Sequence, residues 1–185
     1  MNKLRNNKGM SIAETLVAVL ILLLVSAGLA SGVSLANRYY TKTLRTSEAN
    51  ELFSTLESLI SNELRYTGYA KLNINDNSLV EFFSPTFPDE DVYPTFVIVD
   101  DNKELLDDDK YGYMAIGNTN EDVYRYILAK GSYPNQLGVK IKSITYNEDH
   151  GCFNVELDIG TETIGTLIDK TFSVRCLNWD GENDD

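Results

Sequence analysis

The residue with the clearest chemistry in this sequence is an acid near the N-terminus. Glu14 lies four residues after Met10 and directly before 23 uncharged residues, 15–37. An ionised carboxylate is costly in lipid, so an acid at the start of a membrane segment indicates a function. The alternative is that Glu14 lies at the level of the lipid headgroups, where water solvates it.

The uncharged segment 15–37 is predicted to be a transmembrane helix. At roughly 1.5 Å per residue, a helix of this length spans a bilayer core of about 30 Å. The cations Lys3, Arg5 and Lys8 precede it without any acid, which predicts a cytoplasmic N-terminus. A cleaved secretory signal is the alternative, since 26–30 is rich in small residues, but the apolar run is long for such a signal.

The residues around Glu14 resemble a known processing signal. The sequence KGMSIAETLV, residues 8–17, lies between a basic leader and a long apolar run. This arrangement resembles the class III signal of type IV prepilins and type II secretion pseudoprepilins. The resemblance implies cleavage by a prepilin peptidase between Gly9 and Met10, followed by N-methylation of Met10. Phe is more usual than Met at that position in the family.

The same resemblance implies that Glu14 acts in filament assembly. In filaments of this family the helices pack in parallel, and a carboxylate of one subunit pairs with the N-terminal amine of a neighbour. Because an unpaired buried charge is strongly unfavourable, such a pair acts mainly to fix the register. The implied partners are other pilin or pseudopilin subunits, the prepilin peptidase and the assembly-platform membrane protein.

Two glycines in the membrane segment are candidates for helix packing or flexibility. Gly28 and Gly32 form a G-x-x-x-G pattern, and small residues let helices approach closely. Each glycine also lowers helix stability by up to about 1 kcal/mol relative to alanine. Many family members carry a proline near this depth, which this segment lacks. The alternative is that glycine is simply frequent in membrane helices.

Beyond the span, the pattern predicts that the helix continues to about Tyr66, having begun at about Ser11. Apolar positions recur every three or four residues, and charged residues such as Glu63 occupy the other positions, which indicates an amphipathic helix packed on one side. The expected buried positions are Ala49, Leu52, Phe53, Leu56, Leu59, Ile60 and Leu64.

The remaining chain predicts an antiparallel sheet. Short apolar or β-branched runs alternate with turn residues, including a hairpin connection at Gly117–Asn120. The expected strands are 78–83, 95–99, 111–116, 123–128, 138–146, 152–159 and 171–177. The C-terminal strands resemble those of minor pilin-like proteins from Gram-positive bacteria.

The predicted fold class is therefore α+β: a long N-terminal helix packed on a C-terminal sheet, the lollipop shape that the pilin family implies. The expected divisions are a cleaved leader 1–9, a membrane or filament-core helix 10–37, an amphipathic helix 38–66, a sheet-containing head 67–179 and a disordered acidic tail 180–185.

The two cysteines, Cys152 and Cys176, are not spaced as in a zinc motif. Family members often close a C-terminal loop with a disulfide, and the resemblance implies one here; the alternative is two free buried thiols. By strand alternation Cys152 is out of phase with Phe153 and Val155, while Cys176 is in phase with Val174. A bond would therefore require an edge position or a bend.

The charge and composition disfavour several classes of function. The net charge is −12, and it becomes −15 if the three leader cations are removed, so direct binding to nucleic acid is not expected. The lone His150 and the lack of phosphate-binding glycine motifs do not indicate an enzyme or a cofactor. The acidic residues between 100 and 109 are interpreted as a solvated loop, since they match no calcium motif.

The resulting hypothesis is a non-enzymatic structural subunit, a minor pilin or pseudopilin, of a type IV pilus-like or type II secretion-like filament. The expected location is the cell membrane, with a single pass, a cytoplasmic N-terminus and an extracellular head, and then a surface filament. Two alternatives are an adhesive or ligand-binding tip subunit and a plain single-span anchored protein. Pilus, secretion and DNA-uptake machines all fit these features.

Overall fold

The computed structural model describes residues 11–86, 93–107, 109–118 and 123–179. The expected leader 1–9 and acidic tail 180–185 lie outside these ranges. The chain divides into two compact units, Met1–Leu44 and Arg45–Asp185. One long apolar N-terminal helix and several antiparallel sheets give the α+β class that the sequence predicts.

Helix α1 runs from Ile12 to Arg65, one residue inside each predicted end. Eight strands follow within the described ranges: β1 Ala70–Leu72, β2 Leu79–Phe82, β3 Thr95–Val99, β4 Tyr113–Asn118, β5 Val123–Tyr126, β6 Gly138–Asn147, β7 Cys152–Thr161 and β8 Gly165–Arg175. Two short 3-10 helices, Lys130–Ser132 and Pro134–Gln136, lie between β5 and β6.

The strands form three antiparallel sheets in the order β1-β2, β3-β4-β5 and β6-β7-β8, where the sequence predicted one. Isolated bridges join β6 to its neighbours, one between Ser78 and Thr145 and one between Gly112 and Val139. The register of β6 also shifts between Ile141 and Ser143. A bulge bends a strand and increases its twist. This irregularity fits the finding that these two contacts of β6 are isolated bridges and not continuous ladders.

The core of the second unit lies between α1 and the sheets. The predicted apolar stripe is buried at every position except Leu59, which is half-buried. Facing it are fully buried side chains from three strands, namely Phe82, Val139, Phe153 and Leu157. Each such side chain contributes roughly 1.5–3 kcal/mol through removal from water, so this stripe fixes α1 against the sheets.

The expectation that Glu63 is exposed is wrong. Its side chain is 7% exposed, and its two carboxylate oxygens accept hydrogen bonds from Ser84 Oγ and Thr86 Oγ1, both at 2.7 Å. A buried polar group is tolerated when its hydrogen bonds are made, and the two hydroxyls satisfy this carboxylate. Glu63 therefore connects the last turns of α1 to the segment after β2.

The predicted hairpin connection is also wrong at its first two residues. Gly117 and Asn118 belong to β4 and pair with Tyr124 and Val123 of β5. A Cβ atom on Gly117 would lie 2.3 Å from the Val123 carbonyl oxygen and 2.5 Å from Tyr124 Cδ1. Glycine is required here by close strand packing rather than by a turn. Thr119 and Asn120 lie outside the described ranges.

Strand β8 begins six residues before the predicted Thr171, at Gly165, which has a φ of 80°. The early part was missed because Lys170 occupies a position on the core side of the strand, opposite Leu157. Its Nζ lies 5.0 Å from the centre of the Phe53 ring and 2.6 Å from Asn50 Oδ1. The aliphatic stem of this lysine replaces an apolar residue and hides the alternation.

Candidate functional site

The first turn of α1 holds Glu14 in a capping box. The Ser11 backbone N–H donates to Glu14 Oε2 at 2.8 Å, and the Glu14 N–H donates to Ser11 Oγ at 3.2 Å. These reciprocal bonds satisfy two of the N–H groups that a helix start leaves without an intrahelical partner. The pattern Ser-x-x-Glu is the sequence signal for this arrangement, and the role of Ser11 was missed.

The capping box also fixes the electrostatics of Glu14. A carboxylate beside a helix N-terminus is stabilised by the helix dipole, and Glu14 is the acid of this first turn. The side chain is solvent-exposed, so the capping bonds orient it without burying it. Gly9 and Met10 lie outside the described residues, and the cleavage and methylation assigned to them stay predictions.

The part of α1 that follows Glu14 exposes its apolar surface on every side. The helix contains an 18-residue window that is long and apolar enough to cross a membrane, and no residue in that window is buried. Two of its serines satisfy their hydroxyls within the helix, because Ser26 Oγ donates to the Leu22 carbonyl and Ser31 Oγ to the Ala27 carbonyl. Such a surface is suited to lipid or to other helices.

Gly28 and Gly32 lie on this exposed surface. A Cβ atom added to either glycine would meet no atom within 4 Å. Space within the subunit therefore does not require glycine at either position, and the expected role in packing between helices or in flexibility stays a prediction. Nearby, the small side chains of Ala30, Ser31 and Ser34 line a shallow groove beside Arg38.

Cys152 begins β7 and Cys176 directly follows β8, and the two side chains lie on different faces. Cys152 is opposite Arg175 in the β7–β8 register, which places it on the side away from the core. Cys176, one residue further on, is buried, and its thiol donates to the Leu64 carbonyl at 3.3 Å. Burial, and then the nearby Cys152, raise the pKa of Cys176 to about 11. Both cysteines are free thiols in this structure.

The acidic loop uses its first carboxylate to form a turn. Asp100 Oδ1 accepts hydrogen bonds from the backbone N–H groups of Asn102 at 2.7 Å and Glu104 at 2.8 Å. These bonds lower the pKa of Asp100, and the bond from the Glu104 N–H has the largest effect. Within the described ranges, no group of three or more His, Cys, Asp or Glu residues is placed to hold a metal ion. The ring of His150 lies beside the nearby Asn147 side chain, with Nδ1 3.2 Å from Asn147 Oδ1.

No protein-family model, curated protein or solved structure matches this chain. The functional argument therefore depends on the residues of α1. The structure brings Ser11 and Glu14 together at the start of an exposed apolar helix, and it leaves open space where a Cβ atom of residue 28 or 32 would lie.

Proposed function

We propose that this chain is a structural subunit, a minor pilin or pseudopilin, of a type IV pilus-like or type II secretion-like filament. In this proposal a prepilin peptidase removes residues 1–9 and methylates Met10. The apolar helix then holds the subunit in the membrane until it joins other subunits at an assembly platform. The subunit has no catalytic role.

The observation that carries the proposal is the position of the Glu14 carboxylate. It is oriented by Ser11 at the start of a helix whose next 23 residues carry no charge. In a core of parallel helices, such a carboxylate lies where the N-terminal amine of a neighbouring subunit can pair with it. Breaking a buried ion pair by removing one partner costs about 3–5 kcal/mol, which makes the pair selective for one register.

The processing step is tested on the protein isolated from membranes. We expect intact-mass analysis to give a chain that begins at Met10 and carries one added methyl group. Gly9→Val places a branched side chain next to the scissile bond and should leave the precursor uncut. Asn6→Val is the matched control within the leader and should be cut normally. A wild-type chain that retains Met1 would contradict the proposal.

The assembly step requires variants that separate charge from helix capping. Glu14→Gln keeps a side chain that can complete the capping box but removes the charge. We expect it to be processed normally and to lower incorporation into sheared filaments on the order of a hundredfold, as Glu14→Ala should. Ser11→Ala breaks the capping box and keeps the charge, so most incorporation should remain.

Two outcomes would decide against this role of Glu14. If Glu14→Gln assembles as the wild type does while Glu14→Ala fails, capping alone is needed. If all three variants remain single subunits in the membrane, as the wild type does too, the chain is a plain single-span anchored protein. Shearing the cells and blotting the released and cell-bound fractions distinguishes these results.

A further inference from the structure

A short basic and aromatic segment follows the uncharged span. Between residues 15 and 47 the chain carries three cations, Arg38, Lys42 and Arg45, and no acid. The whole chain, by contrast, has a net charge of −12. The segment directly after the apolar run is therefore positively charged, whereas the chain as a whole is negatively charged.

The two tyrosines and the first two cations of this segment are all exposed on α1. Tyr39 and Tyr40 are 65% and 68% exposed, and Arg38 and Lys42 are also exposed. Arg38 and Lys42 are four residues apart in the helix, which places them one above the other on the same side. Within the part of the chain that the structure describes, no carboxylate forms an ion pair with Arg38.

We propose that Arg38, Tyr39, Tyr40 and Lys42, the juxtamembrane collar, bind the phosphate groups of anionic phospholipids in the leaflet at the C-terminal end of the span. Tyrosine rings favour the level of the headgroups, where the ring is in an apolar layer and the hydroxyl in water. The long stems of arginine and lysine keep their charges at the same level. The collar thus presents two cations and two hydroxyls to one layer of phosphates.

The location of the collar supports an anionic partner independently. Cations beside a span favour the cytoplasmic side, yet the collar lies at the end of the span opposite the leader cations. The two collar cations therefore oppose the orientation that the leader cations favour. Anionic headgroups compensate, since each cation near such a surface is attracted to it. This inference depends on the membrane span and on neither processing nor filament assembly.

The test uses the full chain reconstituted in phosphatidylcholine vesicles at low salt. Trace spin-labelled phosphatidylglycerol or spin-labelled phosphatidylcholine is added, and electron paramagnetic resonance gives the fraction of each lipid immobilised by the protein. We expect phosphatidylglycerol to associate about fivefold more strongly than phosphatidylcholine, and this ratio to fall as salt is raised. The double variant Arg38→Gln/Lys42→Gln should lower the ratio to less than about half its wild-type value. The leader cations, which both proteins carry, account for the remainder.

Matched variants separate collar charge from folding and from total charge. The exchange Arg38→Lys/Lys42→Arg keeps both charges and should keep the ratio. Lys71→Gln/Lys110→Gln removes two exposed cations from the second unit and should also leave it unchanged. Equal association of the two lipids with the wild type overturns the proposal. So does a ratio in Arg38→Gln/Lys42→Gln that is equal to that of the wild type. The proposal is also overturned if Arg38→Gln/Lys42→Gln loses self-association but keeps its lipid selectivity. That result would mean that the collar binds a neighbouring subunit instead of lipid.

Discussion

Two stretches of α1, residues 12–44 and 45–65, both carry large apolar side chains, but these side chains have opposite surroundings. In the first stretch large side chains face outward, with Leu24 66% and Leu29 67% exposed. In the second, Leu52, Leu56 and Leu64 are at most 3% exposed. The second stretch has its packing partner within the chain. The first can bury its surface only in lipid or against other molecules, because so large an exposed apolar surface is unfavourable in water.

The acids of the two stretches differ in the same way. Glu14 is exposed and accepts a hydrogen bond from the backbone of Ser11, whereas Glu63 is buried between the hydroxyls of Ser84 and Thr86. One carboxylate is oriented and remains accessible to a partner, and the other has no remaining access. An acid on an apolar helix therefore indicates an intermolecular function only where the helix lacks intramolecular packing.

The largest effect should come from removing residues 1–44. Because the long uncharged and exposed apolar run lies in that stretch, we expect residues 45–185 to move from the membrane fraction to the soluble fraction and to remain folded. Membrane fractionation and circular dichroism measure the two properties. A fragment that aggregates or loses its β signal would show that the second unit depends on the first.

A core substitution should separate the two stretches energetically. Leu56→Ala leaves a cavity in the packed core and should lower the free energy of unfolding by about 2–5 kcal/mol. Leu22→Ala, in the exposed stretch, should change the unfolding of the second unit by less than about 0.5 kcal/mol. Urea unfolding can be followed through the fluorescence of Trp179, the single tryptophan. Its ring stacks on that of Phe153, with 5.7 Å between the ring centres. Comparable losses from both variants would remove the distinction.

The two acids provide a smaller contrast. Glu63→Ala leaves the Ser84 and Thr86 hydroxyls without their buried acceptor and should lower the free energy of unfolding by about 1–3 kcal/mol. Glu51→Ala, on the exposed side of the same stretch, should change it by less than about 0.5 kcal/mol. The same urea titration measures both. If the two variants are equally stable, the buried carboxylate contributes nothing beyond its packing.

The smallest effect is a dependence on alkaline pH. The pKa of Cys176 is raised to about 11, so between pH 9 and 10 the folded chain keeps a proton that the unfolded chain loses. The free energy of unfolding should therefore fall as the pH rises through this range. The fall should be much shallower in Cys176→Ala and only slightly changed in Cys152→Ala, because burial is the larger cause of the raised pKa. Tyr133, whose pKa burial raises to about 12, adds a further loss at higher pH.

The sequence was sufficient where local preference and burial agree. Strand β3 has its predicted bounds because a β-branched run lies between Pro94 and the turn at Asp100. The helix and its buried stripe were predicted for the same reason, since a regular spacing of apolar residues continues until Leu64.

The failures involve contacts that only the folded chain reveals. Lys170 occupies a core-side position of β8 because the Phe53 ring and Asn50 Oδ1 both interact with its charged Nζ. Glu63 is buried because residues 21 and 23 positions later bring hydroxyls to it. At the candidate site, the apolar span and Glu14 were evident from composition. The Ser11 partner required a test for capping patterns, which are local and therefore readable from the sequence.

The capping box gives α1 a self-sufficient beginning. Its two bonds use only Ser11 and Glu14, and the Thr15 N–H is satisfied by the Ser11 carbonyl at 3.1 Å. Severing the chain before Ser11 breaks none of these bonds. A peptidase that cuts between residues 9 and 10 would therefore shorten the polypeptide without unwinding the helix, and the newly exposed amine would lie one residue from a turn that is already formed.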